Sequence, residues 1–184
     1  MKVAKSGSTA LYPVPAVLVT CGVARPNIIT LAWVGTVCSD PPAVAIALRR
    51  ERYSHSLITE TGEFVVNLPR AEQVGAVDFC GQASGRNVDK WAVCGLTPAP
   101  ASRVSVPVIA ECPIALECRV MHHLALGSHD LFVGEVVAIQ ADDQVLNAQG
   151  GIDYERADLL AYVGGAYRRL GDRLGRFGDW KKTG

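Results

Sequence analysis

The sequence has no long apolar run and no excess of charge of one sign. No stretch contains the ~20 uninterrupted apolar residues that a membrane-spanning helix requires, so we expect no membrane segment. Basic and acidic residues each number 18, which gives a formal net charge of zero. This balance provides no general electrostatic reason to expect binding to nucleic acid or to an anionic membrane surface.

The six cysteines lack the spacing of a metal or redox motif. No two of them are separated by the two residues typical of a zinc knuckle or a dithiol site. Most lie in apolar runs, and a chain of 184 residues can bury a core without disulfide bonds. We therefore expect reduced thiols and a cytoplasmic protein.

Three widespread signatures are also missing. The chain contains no Gly-x-Gly-x-x-Gly turn, no Gly-x-x-x-x-Gly-Lys-[Ser/Thr] loop and no Gly-x-Ser-x-Gly nucleophile elbow. These absences disfavour a Rossmann domain and a P-loop enzyme. No internal repeat and no low-complexity tract divides the chain, so we expect one domain over residues 1–184.

The chain does contain many short segments that are rich in β-branched residues and bounded by Pro, Gly or Asp. The predicted strands are Val14–Val23, Ile28–Thr36, Val44–Leu48, Phe64–Asn67, Ile114–Met121 and Leu131–Ile139. The predicted helices are Ser54–Thr61, Ala71–Cys80 and Asn87–Val93. Helices this few and short do not fit a parallel βαβ sheet. The pattern instead predicts a mainly β fold with short helices (α+β), arranged as an antiparallel barrel.

A first basic cluster, Arg49–His55, lies where a predicted strand leads into a helix. The strand delivers Arg49, and Ser54 is expected to begin the helix. A helix start offers free backbone N–H groups and a partial positive charge, which suit a phosphate. An adjacent arginine adds a planar bidentate donor. The alternative is an ordinary serine cap beside solvated arginines.

A second cluster, Ser84–Trp91, has similar features. Gly85 has no side chain to restrict the backbone, and Ser84, Arg86 and Lys90 supply hydrogen-bond donors. The alternative is a surface turn that leads into a capped helix.

An ordered set of motifs resembles the flavin reductase-like family, in particular its flavoredoxin-type group. The motifs lie in Asn27–Pro42, Arg52–Ser54, Gly62–Pro69, Cys80–Trp91, Gly127–Val136 and Tyr162–Tyr167. Each is weak alone, whereas their order across nearly the whole chain is specific. The resemblance implies an FMN-binding split β-barrel of antiparallel Greek-key type. It also implies a homodimer, with FMN bound noncovalently at or near the interface.

The resemblance also assigns site residues. Those matched to FMN contacts are Thr30, Ala32, Trp33, Val34, Ser39, Arg49, Tyr53, Ser54, His55, Asn67, Ser84, Arg86 and Lys90. His129 matches a histidine near the flavin face or the nicotinamide, and we assign it the catalytic role of orienting the nicotinamide or an incoming flavin. From the residues alone, Trp33 also fits a core aromatic, and His129 also fits a loop histidine. Asn67 is more informative because a buried amide needs partners.

His122, His123, His129 and Asp130 raise the question of a metal site. Adjacent histidines on a strand point to opposite faces and make a poor ligand pair. The sequence therefore predicts no metal.

The function implied by the resemblance is that of an NAD(P)H:flavin oxidoreductase, with hydride passing from NADH or NADPH to flavin and electrons passing onward. The cofactor carries this chemistry, which fits the absence of a catalytic triad or paired carboxylates. Two alternatives remain open. One is a flavoredoxin-like electron carrier that receives electrons from a redox protein partner, and the other is a non-redox flavin-binding protein.

Overall fold

The computed structural model describes residues 1–180, in which strands predominate. The strands are β1 (Val14–Pro15), β2 (Val17–Cys21), β3 (Asn27–Leu31), β4 (Val34–Ser39), β5 (Pro42–Leu48), β6 (Glu63–Leu68), β7 (Pro98–Ala99), β8 (Val108–Ile109), β9 (Ile114–Leu126), β10 (His129–Ala141), β11 (Leu160–Val163) and β12 (Ala166–Arg169). The helices are α1 (Tyr53–Thr61), α2 (Val74–Gln82) and α3 (Lys90–Cys94), with 3-10 turns at Ala71–Gln73 and Asp143–Val145. Within residues 1–180, no helix has the length and apolarity to cross a membrane.

The main sheet has the strand order β3-β2-β6-β9-β10-β5-β4, and every pairing is antiparallel. Its edge strands, β3 and β4, are joined by only Ala32 and Trp33. A two-residue link cannot span an open seven-stranded sheet, because neighbouring strands lie ~4.8 Å apart. The sheet therefore curls until its edges approach each other, and β3 contacts β5. The predicted mainly β, antiparallel architecture is confirmed.

The prediction of a single strand over Ile28–Thr36 is wrong in one respect. The strand ends at Leu31, and β4 begins at Val34. The apolar, β-branched composition continues through this region, so local preference gives no sign of the break. The chain turns at Ala32 and Trp33 because it must pass from one edge of the sheet to the other.

Other boundaries also differ from the predictions. The third helix begins at Lys90, three residues later than expected, because Asp89 caps it by accepting hydrogen bonds from the backbone N–H groups of Trp91 and Ala92. Strands β11 and β12, which form a small sheet with β1, were not predicted.

The alternation of side chains along β2 and β3 separates two cores. Val19 and Ile29 face the barrel interior and pack with Phe64 and Phe132. Leu18 and Ile28 point to the other side, where they pack against Val77 and Cys80 of α2. This second core fixes α2 on the outer face of the barrel beside β3. All six cysteines are free thiols, and four of them are buried.

Candidate functional site

A cavity of about 320 Å³ opens between β3, the start of α1 and the turn that follows α2. Three segments that are far apart in the sequence meet here. The lining residues are Asn27, Ile29, Arg49, Glu51, Arg52, Tyr53, Ser54, Ala83, Ser84, Gly85 and Lys90. The two basic clusters singled out in the sequence therefore face the same space.

The connection from β5 to α1 forms the most cationic wall. Arg49 and Arg52 line the cavity, and α1 begins there at Tyr53 with no side chain capping its first turn. The N-terminus of a nine-residue helix contributes a partial positive charge to this wall. Glu51 also lines the cavity, but its carboxylate lies 3.6 Å from the Arg49 guanidinium, which offsets its charge.

The expectation that Ser54 begins the helix is wrong. The capping position belongs to Arg52, and Ser54 lies inside the first turn, where it is buried. Its hydroxyl oxygen accepts a hydrogen bond of 2.8 Å from the Asn27 side-chain amide. Ser54 therefore anchors α1 to β3 at the cavity wall.

A buried lysine forms the base of the cavity. The Lys90 ammonium donates to the backbone carbonyls of Ile28 at 2.6 Å and Cys80 at 2.9 Å. Burial lowers the pKa of this group, while the nearby Cys80 and Cys21 thiols act in the opposite direction. Both acceptors are neutral carbonyls, so neither of them offsets a charge on the Lys90 amine.

The turn after α2 closes the remaining side. A Cβ atom added at Gly85 would lie 2.0 Å from the Asn27 side-chain oxygen, so no larger residue fits without movement. Arg86 does not line the cavity. Its guanidinium lies 5.1 Å from the centre of the Tyr53 ring and donates a hydrogen bond to the Glu51 carbonyl. Arg86 therefore contacts two residues of the cavity wall.

A smaller cavity of about 100 Å³ shares Ile29, Arg49 and Arg52 with the first. Its other lining residues include Thr30 and, at the far end, His129. We call the two adjoining cavities the groove. It runs from the cationic end, formed by Lys90 and the start of α1, to His129, and Arg49 and Arg52 line both cavities.

The His129 end of the groove is aromatic. The His129 ring lies 4.6 Å from the Trp33 ring, centre to centre, with an interplanar angle of 38°. Its Nδ1 atom is 2.9 Å from the Ser128 hydroxyl. Partial burial and then the neighbouring Arg49 charge lower the pKa of His129, so the ring is neutral at neutral pH. Trp33 is 44% exposed, which is inconsistent with the alternative of a core aromatic.

Asn67 lies apart from the groove, and its assignment as an FMN contact needs correction. The side chain is fully buried, and its amide nitrogen donates to the Leu18 carbonyl and the Thr20 hydroxyl. Its oxygen accepts from the backbone N–H of Ile109 at 2.9 Å. These bonds join β6 to β2 and β8, so the partners that a buried amide requires belong to the protein itself.

Four further assigned residues lie outside the groove lining within this chain. Ser39 lies at the turn of the β4–β5 hairpin, whereas Arg49 follows the opposite end of β5. His55 bonds to Asp130 on β10. Val34 packs against the barrel core, and Ala32 lies in the link between β3 and β4.

The sequence assignment missed several lining residues, among them Asn27 and Arg52. Both lie within the motifs that carry the resemblance. A polar residue beginning an apolar strand was the available signal for Asn27, and the third arginine of the Arg49–Arg52 run was the signal for Arg52.

Comparison with known proteins gives consistent results. The flavin reductase like domain model matches residues 9–171. The flavoredoxin of Desulfovibrio vulgaris (Miyazaki F) superposes with a TM-score of 0.92 at 33% identity, covering 99% of this chain and 100% of that protein. An FMN-binding protein from Thermus thermophilus gives 0.81 at 25% identity, with 96% and 99% coverage.

A putative flavin reductase with a split barrel domain from Shewanella frigidimarina gives a TM-score of 0.81 at 22% identity, with 89% and 85% coverage. Similarity at this identity bears on the fold alone, and it confirms the predicted split barrel. The match of the domain model over most of the sequence carries the assignment to a family: the chain belongs to the flavin reductase-like family.

Proposed function

We propose that the chain is an FMN-dependent oxidoreductase that holds FMN in the groove. The observation that supports this most strongly is that Arg49, Arg52, Lys90 and the start of α1 converge on one groove, whose other end carries His129 packed on Trp33. Arg49, Arg52, Lys90 and the start of α1 would hold the terminal phosphate. The close approach of Gly85 to Asn27 shapes the wall beside them.

Bound FMN would supply the chemistry of accepting a hydride and passing electrons onward. The protein residues position the cofactor and offset its charge. Lys90 contributes a buried cation whose position is fixed by two carbonyls, and Ser54 and Asn27 keep α1 against β3. His129, neutral and packed on Trp33, would orient the nicotinamide of NADH or NADPH or an incoming flavin.

An electron carrier is the second candidate. The similarity of the chain to a flavoredoxin over its whole length favours this alternative. In that case a redox protein partner would replace the nicotinamide as electron donor. Anaerobic addition of NADH or NADPH to the FMN-loaded protein distinguishes the two, because direct bleaching of the flavin supports the oxidoreductase.

We also propose a homodimer in the cytoplasm. The dimer is supported by the family resemblance and by exposed apolar side chains on three strands of the sheet. These are Val37 of β4, Met121, Leu124 and Leu126 of β9, and Ile139 of β10.

Arg52→Ala is expected to weaken FMN binding by about 1.5 kcal/mol, roughly tenfold, because it removes a charged hydrogen-bond donor from the phosphate. Isothermal titration with FMN and with riboflavin measures the effect. Riboflavin lacks the phosphate, so its affinity should be nearly unchanged. Arg168→Ala, at an exposed position on β12, is the matched control. Equal dissociation constants of the wild type for FMN and riboflavin would contradict the proposed phosphate site.

His129→Ala is expected to slow flavin reduction by NAD(P)H or to raise its KM, while FMN content stays near the wild-type level. The reason is that His129 lines the smaller cavity, whereas Lys90 and the start of α1 line the larger one. Anaerobic stopped-flow reduction is the measurement, with His122→Ala as an exposed control. An unchanged reduction rate at every NAD(P)H concentration would show that His129 is a loop histidine without this role.

A further inference from the structure

Two histidines and an aspartate from three separate elements converge beside the groove without lining it. His55 lies on α1, His123 on β9 and Asp130 on β10. The Nε2 atoms of His55 and His123 are 2.9 Å and 2.7 Å from the same oxygen, Oδ2 of Asp130. One ligand atom from each of the three residues falls within 4.8 Å of the others. We call this group the His–Asp cluster.

Neighbouring side chains hold the cluster in place. Arg50 donates from Nε to the other carboxylate oxygen, Oδ1 of Asp130, at 2.7 Å. The His123 ring stacks on Phe132 at 4.2 Å and 16°, and the His55 ring meets Phe132 edge-on at 5.2 Å. Phe132 is buried, so both imidazoles rest on a rigid surface. Ligands that are fixed in this way lose little entropy when they bind a metal.

The Asp130 carboxylate is oriented by side chains on both of its oxygens. Arg50 occupies one oxygen and leaves the other directed towards the two rings. Carboxylates that bind metals are themselves held by hydrogen bonds, as Asp130 is held by Arg50.

We propose that His55, His123 and Asp130 bind a first-row divalent metal ion such as Zn²⁺. Two imidazoles and one carboxylate are a donor set that zinc accepts, with a fourth position left for water. The side-chain exposures of 15%, 36% and 5% for these residues leave an approach from solvent past His123.

The geometry requires only a small adjustment. Ligand atoms around a tetrahedral zinc lie about 3.3 Å apart, given bonds of about 2.0–2.1 Å. The present separations of 2.9 Å and 2.7 Å are therefore about half an ångström too short, and the rings must move slightly away from the carboxylate. Each Nε2 atom must be free of a proton to bind the metal.

The site would connect elements that frame the groove. Asp130 follows His129, and α1 begins at the cationic end of the groove. A metal here would tie α1 to the β9–β10 hairpin, a role that does not depend on bound FMN.

The test is zinc binding to the purified protein after chelator treatment. The protein carries Cys38→Ser, which removes an exposed thiol that could bind zinc independently. Competition with a chromophoric zinc chelator should give one zinc per chain. His123→Ala and Asp130→Asn should each weaken zinc binding at least about 100-fold. His122→Ala, on the same strand but outside the cluster, should bind as the parent does.

Thermal unfolding provides a second readout. Zinc should raise the Tm of the parent and of His122→Ala, because a ligand that binds only the folded state stabilises it. The rise should be absent in His123→Ala and Asp130→Asn. If either of these variants fails to fold, His55→Gln replaces it. Failure of the parent to bind one zinc, or zinc binding that survives loss of His123 and Asp130, would show that the cluster is only a hydrogen-bond network.

Discussion

Glu117→Ala is expected to lower the free energy of unfolding by about 3 kcal/mol or more, because it leaves five part-buried hydrogen-bond donors without their acceptor. Glu117 lies on β9 and is fully buried. Its carboxylate accepts from the backbone N–H groups of Ser102, Arg103 and Val104, at 2.8, 2.6 and 3.3 Å. The Ser102 hydroxyl and the Gln140 side-chain amide also donate to it. One side chain therefore holds the whole 102–104 loop against the sheet.

Urea unfolding followed by circular dichroism measures the effect. Glu60→Ala, at an exposed position on α1, is the matched control and should change stability by less than about 0.5 kcal/mol. A loss of less than about 1 kcal/mol in Glu117→Ala would mean that water satisfies the loop donors and that the carboxylate is dispensable.

The Glu117 carboxylate should also make the stability of the fold depend on pH. Burial raises the pKa of Glu117, but hydrogen bonds from Ser102, Gln140 and Arg103 outweigh it and hold the pKa below the ordinary value of 4.5. The stabilisation from the ionised form is therefore present above about pH 4.5 and declines as the pH falls further. Glu117→Gln cannot ionise, so its free energy of unfolding should differ most from that of the wild type above this pH. The difference in free energy of unfolding should become smaller as the pH falls.

The sequence identified part of the groove lining. Arg49, Ser84 and Lys90 were recognised because their signals are local, namely basic or hydroxyl side chains beside a helix start or a glycine turn, whereas Tyr53 came from the family resemblance. Local chemistry of this kind depends little on the rest of the fold. It correctly indicated that two distant clusters serve one space.

The two asparagines show where such reasoning fails. Asn27 and Asn67 both lie in apolar strands, and both are buried with satisfied amides. Only Asn27 reaches the groove, because the strand order places β3 beside α1 and the turn at Gly85. Which face a strand residue uses, and what lies against that face, depends on pairings that no local pattern specifies.

The histidines give a second example. His122 and His123 point to opposite faces of their strand and were therefore not expected to bind one metal ion together. That expectation considered only residues that are neighbours in sequence. His123 instead meets Asp130 across the β9–β10 hairpin, and His55 reaches the same carboxylate from 75 positions away. The contact requires α1 to pack beside that hairpin, so it becomes visible only in the folded chain.

Gly85→Ala is expected to reduce FMN affinity by at least about 30-fold, or about 2 kcal/mol. The added Cβ would lie 2.0 Å from Oδ1 and 2.6 Å from Cγ of Asn27. Asn27 is 5% exposed and bonds to Ser54 at 2.8 Å, so it has little room to withdraw. Either Asn27 leaves Ser54 or the turn moves outward, and in both cases the cationic end of the groove changes shape.

A double-mutant cycle distinguishes this steric cause from general damage to the turn. Asn27→Ala removes the atoms that the new methyl group would meet. If the clash is the cause, adding Gly85→Ala to Asn27→Ala should cost far less affinity than adding it to the wild type. Gly75→Ala is the matched control, because a Cβ there meets no atom within 4 Å and lies in α2, where alanine is favourable. Equal losses in both backgrounds would assign the effect to the backbone of the turn instead of the Asn27 contact.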